Sequence, residues 1–295
     1  MIHKNVIIFT KNKNMSILYH YTTIDALQKI LEDNGKIQFL ATRYDYLNDK
    51  GELELGIDLL NKCLIEIEEK LNIDTSLRLS RHSKTVGEQL KHLYEIENAG
   101  LYTLSFSENA DSLPMWRMYG SDCNGIVIGL DTNSLLDRVR EKEFQQYEIK
   151  YRPMMYLKKE VKKEIELAYE KILGSYTGTT TYGLENEYSN IVHQLCINIK
   201  SKHYKYEREW RITLFDWDVP REGQTPQITT EYRIRNGIMI PCKKLSFPSS
   251  ALKKIVVGPT HNFEQSKKSL KMFLESKKIN LSNIKIEQSK ILYRN

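Results

Sequence analysis

The chain has 295 residues, with 40% hydrophobic and 28% charged residues and a formal net charge of +6. That balance excludes a disordered or fibrous chain and allows one large domain or two modest ones. No apolar run approaches a membrane span, and the patch Val6–Phe9 is too short for a secretory leader, so a cytoplasmic protein is expected.

Residues 1–14 read as an extension and 15–295 as a single α+β domain. Ile17–Tyr21 predicts a strand, followed by a helix over Ile24–Glu32 that Thr22 or Thr23 can cap and Asn34-Gly35 stops. Lys36–Ala41 predicts a second strand, and Thr42–Glu52 a polar, tyrosine-rich loop. Helical periodicity covers Leu53–Leu71 and again Thr85–Glu97. Leu101–Ser107 predicts a central strand, Asn109–Tyr119 a loop with a short helix, and Gly125–Leu130 another strand. Glu148–Met154 suits a strand. Helices at Leu157–Leu173 and Leu184–Lys200 make a helical insertion over about 157–200, split by a Thr- and Gly-rich loop. The chain closes as β-α-β, with strand segments at Lys254–Pro259 and Ile284–Tyr293 around a helix over Phe263–Lys277. The expected architecture is a central mixed or antiparallel sheet with flanking helices.

Charge is uneven. Residues 251–295 hold ten Lys or Arg and three Glu, a balance of +7, which leaves −1 for the remainder. Such a lobe suits a polyanion such as nucleic acid, with Gly258-Pro259-Thr260 before a helix as an anion site; a solvated lysine face suits it equally. The four cysteines form no C-x-x-C pair and read as reduced thiols, and the seven histidines show no metal-ligand spacing, so no metal is implied.

Chemistry concentrates in Tyr206–Phe215, read as a strand from its aromatic and β-branched second half. Alternation would place Glu207, Glu209, Arg211 and Thr213 on one face and Arg208, Trp210, Ile212 and Leu214 on the other. Two carboxylates and a guanidinium on one face are costly unless paired or working; an ion-paired, half-buried strand satisfies the pattern as well. Other polar clusters are His20 and Tyr21 at a strand end, Ser107 before an acidic turn, and Trp116 with Tyr119 three apart on a short helix. The latter pair suits a stacking platform, and core packing suits Trp116. Asn48, Asp49 and Glu52 form a further polar turn, which turn chemistry also explains.

In order, Leu18–Thr22, Asn48–Glu52, Ser105–Gly120, Gly125–Gly129, Glu209–Arg211, Ile255–Pro259 and Ser289–Arg294 resemble the motif series of the bacterial family named domain of unknown function 2971. That name supplies no function. The order of a histidine on the first strand, Ser and Tyr about a later strand–helix junction, and Glu on a late strand is also similar to the His-Tyr-Glu ADP-ribosyltransferases. This second resemblance implies an ADP-ribosyltransferase-like fold and NAD as a substrate. His20 would hold the NAD ribose or amide, with Tyr21 and Ser107 nearby, Tyr119 would stack on nicotinamide, and Glu209 would be catalytic. Glu207 would serve the acceptor, and Arg211 a phosphate or the glutamates themselves. The expected protein is an NAD-dependent ADP-ribosyltransferase-like enzyme, a toxin or phage-defence effector acting on a macromolecule. A non-catalytic ligand- or partner-binding regulator and a nucleic-acid-acting protein remain the alternatives.

Overall fold

The computed structural model describes residues 17–48, 51–82, 88, 100–139, 147–175, 195–216, 228–260 and 262–293. Two compact units emerge. Met1–Tyr44, Leu101–Arg152 and Tyr206–Asn295 form the first, and Asp45–Gly100 with Pro153–Lys205 the second. The helical stretch expected at 157–200 falls in the second unit together with residues 45–100.

The fold is α+β, built on a mixed, open sheet of ten strands among the described residues. These are β1 (Ile17–Thr22), β2 (Lys36–Arg43), β3 (Gly100–Ser107), β4 (Ile126–Asp131), β5 (Glu148–Pro153), β6 (Glu209–Asp216), β7 (Thr230–Arg235), β8 (Ile238–Pro248), β9 (Leu252–Val257) and β10 (Lys285–Gln288). The order runs β10-β9-β4-β1-β3-β2-β8-β7, and β6 pairs with β3 and β5. β9 and β10 are parallel, joined across a helix as the β-α-β reading expected, whereas β1, β2, β4, β7 and β8 pair with their neighbours antiparallel.

Helices of the first unit are α1 (Ile24–Ile30), α3 (Leu113–Tyr119), α4 (Thr132–Val139) and α6 (Phe263–Ser276); the second unit holds α2 (Glu52–Lys70) and α5 (Lys158–Ser175). Thr23 caps α1 by accepting from the Ala26 amide at 3.1 Å, leaving Leu27 and Ile30 to enter the core. That core also takes Leu18 and Ile128, Phe39 and Phe247, Leu104 and Phe106, and Trp210, Ile212 and Leu214. Each such side chain contributes roughly 1.5–3 kcal/mol on burial. A smaller cluster, Tyr21, Met115, Trp116, Cys123, Val127 and Val256, packs α3 to the sheet.

β7 and β8 were not anticipated by the reading of chain order. Their hairpin turns at Asn236-Gly237, with φ of 51° and 76°. Two successive positive φ values are what a tight hairpin turn demands, and Asn-Gly supplies them with little strain. α4 was likewise unassigned. In the second unit, α2 packs along α5. Glu68, 0% exposed, accepts from the Ser80 amide at 2.9 Å, the Ser80 hydroxyl and the Tyr169 hydroxyl. The helix expected over 184–200 does not reach its end. Cys196–Asn198 forms a 3-10 turn, and Met155 exchanges backbone bonds with Asn198 at 2.7 Å and Lys200 at 3.0 Å, which replace a helical ladder. Residues 184–194 and most of the helix expected over 85–97 lie outside the described residues.

All four cysteines are buried, and none is in a disulfide among the described residues. Among the described residues, no helix is long and apolar enough to cross a membrane.

Candidate functional site

The carboxylate-bearing segment is not one continuous strand. Glu207 ends a 3-10 helix, Lys202–Glu207, and β6 begins only at Glu209. Between them Arg208 has φ of 42°, a left-handed conformation that swings the chain and cancels strand alternation across it. Glu207 and Glu209 therefore do not share a strand face, which corrects the sequence reading. Trp210, Ile212 and Leu214 enter the main core, so alternation turns Glu209, Arg211 and Thr213 to the opposite face. Arg211 donates through Nε to Glu209 Oε1 at 2.6 Å and through Nη2 to Oε2 at 3.2 Å. Both side chains are at most 5% exposed, so this is a buried, two-pronged ion pair.

Glu207 joins a second partner set. Its carbonyl accepts from Ser107 Oγ at 2.6 Å, and its Oε1 accepts from the Tyr119 hydroxyl at 3.1 Å. Burial, then the negative charges of Glu207 and Glu209, raise the Tyr119 pKa well above the usual phenol value. The phenol is thus held protonated as a donor. The structure brings Tyr119, Glu207, Glu209 and Arg211 together, although Tyr119 and Glu207 are 88 residues apart.

α3 presents Tyr119 at its last position. Past Gly120, Ser121, Asp122 and Cys123 have φ of 50°, 46° and 73°. Three successive left-handed non-glycine residues cost about 1–2 kcal/mol each, and the surrounding structure must hold them. Part of that hold is visible: Cys123 N donates to Trp116 O at 3.1 Å, and Gly258 N donates to Gly125 O at 3.0 Å. A Cβ on Gly258 would stand 2.5 Å from the Cys123 carbonyl oxygen, so the Gly258-Pro259-Thr260 turn is a close backbone approach. Thr260 Oγ1 donates to Cys123 O at 2.9 Å. In this structure that turn serves packing.

Tyr21, Ser107 and Trp116 hold the loop before α3. The Tyr21 hydroxyl donates to Asn109 O at 2.9 Å and accepts from Ser112 N at 3.0 Å, and Ser107 Oγ accepts from Asn109 N at 3.0 Å. Trp116, 0% exposed, packs edge-on to Tyr21 and donates to Asp111 Oδ1 at 2.7 Å. It belongs to the core, so it forms no stacking platform with Tyr119. Asp111 also accepts from Ser289 Oγ and the Lys290 amide, each at 2.7 Å. Asn48 and Glu52 belong to the second unit, where Glu52 opens α2 and is 1% exposed; Asp49 lies outside the described residues.

His20 occupies a fork in the sheet. β1 meets β3 at Tyr19↔Ser107, and β2 meets it at Thr42↔Thr103 and Arg43↔Tyr102. β6 also pairs with β3, so three strands share two edges. The His20 and Phe39 rings stand 4.8 Å apart, which puts β1 and β2 on the same edge, diverging between Thr103 and Ser107. His20 bridges the gap, its Nδ1 3.0 Å from the Ser105 carbonyl oxygen and its ring against Phe39 and Phe106. A carbonyl only accepts, so neutral His20 carries its proton on Nδ1 and presents Nε2 as an acceptor. Burial lowers its pKa, partly countered by the Ser105 bond and reinforced by the Arg233 guanidinium. Arg233, Thr42 and Thr103 escaped the sequence reading; the Asn236-Gly237 hairpin signal beside an alternating Thr230–Arg235 run was available to find β7.

A family described as Protein of unknown function (DUF2971) matches residues 115–212, a stretch that runs from α3 through the Glu-Trp-Arg strand, in support of the resemblance to that family. No curated protein and no solved structure matches the chain.

Proposed function

We propose that the first unit is an NAD-consuming, ADP-ribosyltransferase-like enzyme. One observation carries the reading. His20 is anchored on Ser105 and Glu207 on Ser107, two residues apart along β3 and hence about 7 Å.

NAD supplies a nicotinamide–ribose bond whose cleavage expels neutral nicotinamide and leaves positive charge on the ribose carbon. His20 Nε2 accepts from a ribose hydroxyl and orients the sugar. Glu207 takes the proton that the attacking acceptor group releases as it bonds to that carbon. Glu209, oriented by the two Arg211 hydrogen bonds, supplies fixed negative charge. Tyr119 keeps Glu207 in place through its hydroxyl. The reading extends to a toxin or defence effector with a macromolecular acceptor.

The test follows NAD consumption and growth arrest on expression for wild type and Glu207→Gln, with thermal melting to show that the variant folds. Loss of both activities in a folded Glu207→Gln protein is expected. Equal NAD consumption by the two, or none by wild type with any cellular protein fraction as acceptor, would leave a binding protein instead.

A further inference from the structure

Among the described residues, Arg233 has no carboxylate partner. Its side chain lies inward on β7, and its Nη2 donates to Thr42 Oγ1 at 2.9 Å. Its buried Nε has no partner among the described residues. The nearest acidic residue on its strand face, Glu231, is engaged with Lys244 at 2.7 Å. Burial and the neighbouring Arg235 charge both lower the Arg233 pKa, with the Cys242 thiol acting against them. Thr103 sits directly across from Thr42, is 3% exposed, and its Oγ1 has no hydrogen-bond partner among the described residues. An unpaired inward guanidinium beside an unpaired buried hydroxyl is costly, and native proteins rarely keep one without a use.

We propose that Arg233, Thr42 and Thr103 form an anion site that takes a phosphate group. Guanidinium and hydroxyl donors suit phosphate oxygens, and Arg233 offers Nε and its remaining Nη hydrogens in one plane. Naming the ligand as the pyrophosphate of a dinucleotide rests on the proposed function; the anion site itself does not.

Calorimetric titration of the full chain with inorganic pyrophosphate tests it. Wild type binds saturably, and Arg233→Gln weakens binding at least tenfold. Thr103→Val keeps the side-chain shape, weakens binding several-fold, and raises the melting temperature because it removes an unpaired hydroxyl. No binding by wild type, or undiminished binding by a folded Arg233→Gln protein, overturns the proposal. Should Arg233→Gln fail to fold, unchanged affinity in Thr103→Val overturns it alone. Pyrophosphate binding that depends on Arg233, in a protein that consumes no NAD, retains the anion site and removes the enzyme reading. The reverse pattern removes only the anion site.

Discussion

Breaking the Glu209–Arg211 pair should cost far more than its place on a polar strand face suggests. Arg211 grips both carboxylate oxygens, at 2.6 and 3.2 Å, with side chains only 3% and 5% exposed. An exposed pair contributes about 0–1 kcal/mol, whereas stripping one partner from a buried pair costs about 3–5 kcal/mol because the remaining charge loses its counter-ion in a desolvated place. Glu209→Gln and Arg211→Met should each therefore lose about 3–5 kcal/mol. The double variant Glu209→Leu, Arg211→Met removes both charges and should recover most of the loss, giving a coupling of at least about 2 kcal/mol. The assay is urea unfolding followed by circular dichroism, with melting temperature as a second readout. A domain of 150–250 residues shifts about 2–4 °C per kcal/mol, so the single variants should melt at least about 6 °C lower. A single-variant loss below about 1 kcal/mol, with no recovery in the double, would refute the picture of a desolvated pair. Such a result would also change how Glu209→Gln is read in any activity assay, since the expected instability would no longer need correcting.

Two further expectations follow from the same geometry. Burial lowers the His20 pKa in the fold, so below about pH 6.5 the unfolded chain binds the proton more readily. Wild type should lose up to about 1.4 kcal/mol per pH unit between pH 6.5 and the lowered folded value, and His20→Phe should show a flatter stability profile between pH 7.5 and 5; parallel profiles would argue against a neutral His20. Ser107→Ala should cost about 1–3 kcal/mol in urea unfolding, because it removes the hydroxyl that bonds both the Glu207 carbonyl and the Asn109 amide at a site 1% exposed; a loss within error would mean that water replaces the hydroxyl.

Much of the fold was legible. β1, α1 and β2 follow from strand alternation, the Thr23 cap and the Gly35 stop, and β9, α6 and β10 follow from an apolar strand and an amphipathic helix. These signals act over a few residues, so the local sequence carries them. The helix expected to end at Lys200 failed because a tertiary bridge to Met155 took the backbone groups the helix needed. Trp116 could be read as platform or core, and its indole bond to Asp111 decided for core.

The candidate site was only half legible. The sequence alone determined which side chains carry charge there, that Trp210, Ile212 and Leu214 form an apolar stripe, and that His20 lies on a strand next to a capped helix. It could not determine that Arg208 turns left-handed and separates Glu207 from Glu209, since no glycine marks the turn. Nor could it place Tyr119 on Glu207 across 88 residues, or Arg233 on Thr42 across 191. Those contacts join elements far apart in the chain, the second through the β2–β8 and β7–β8 pairings, and strand pairing at such separations is decided by how the whole sheet packs.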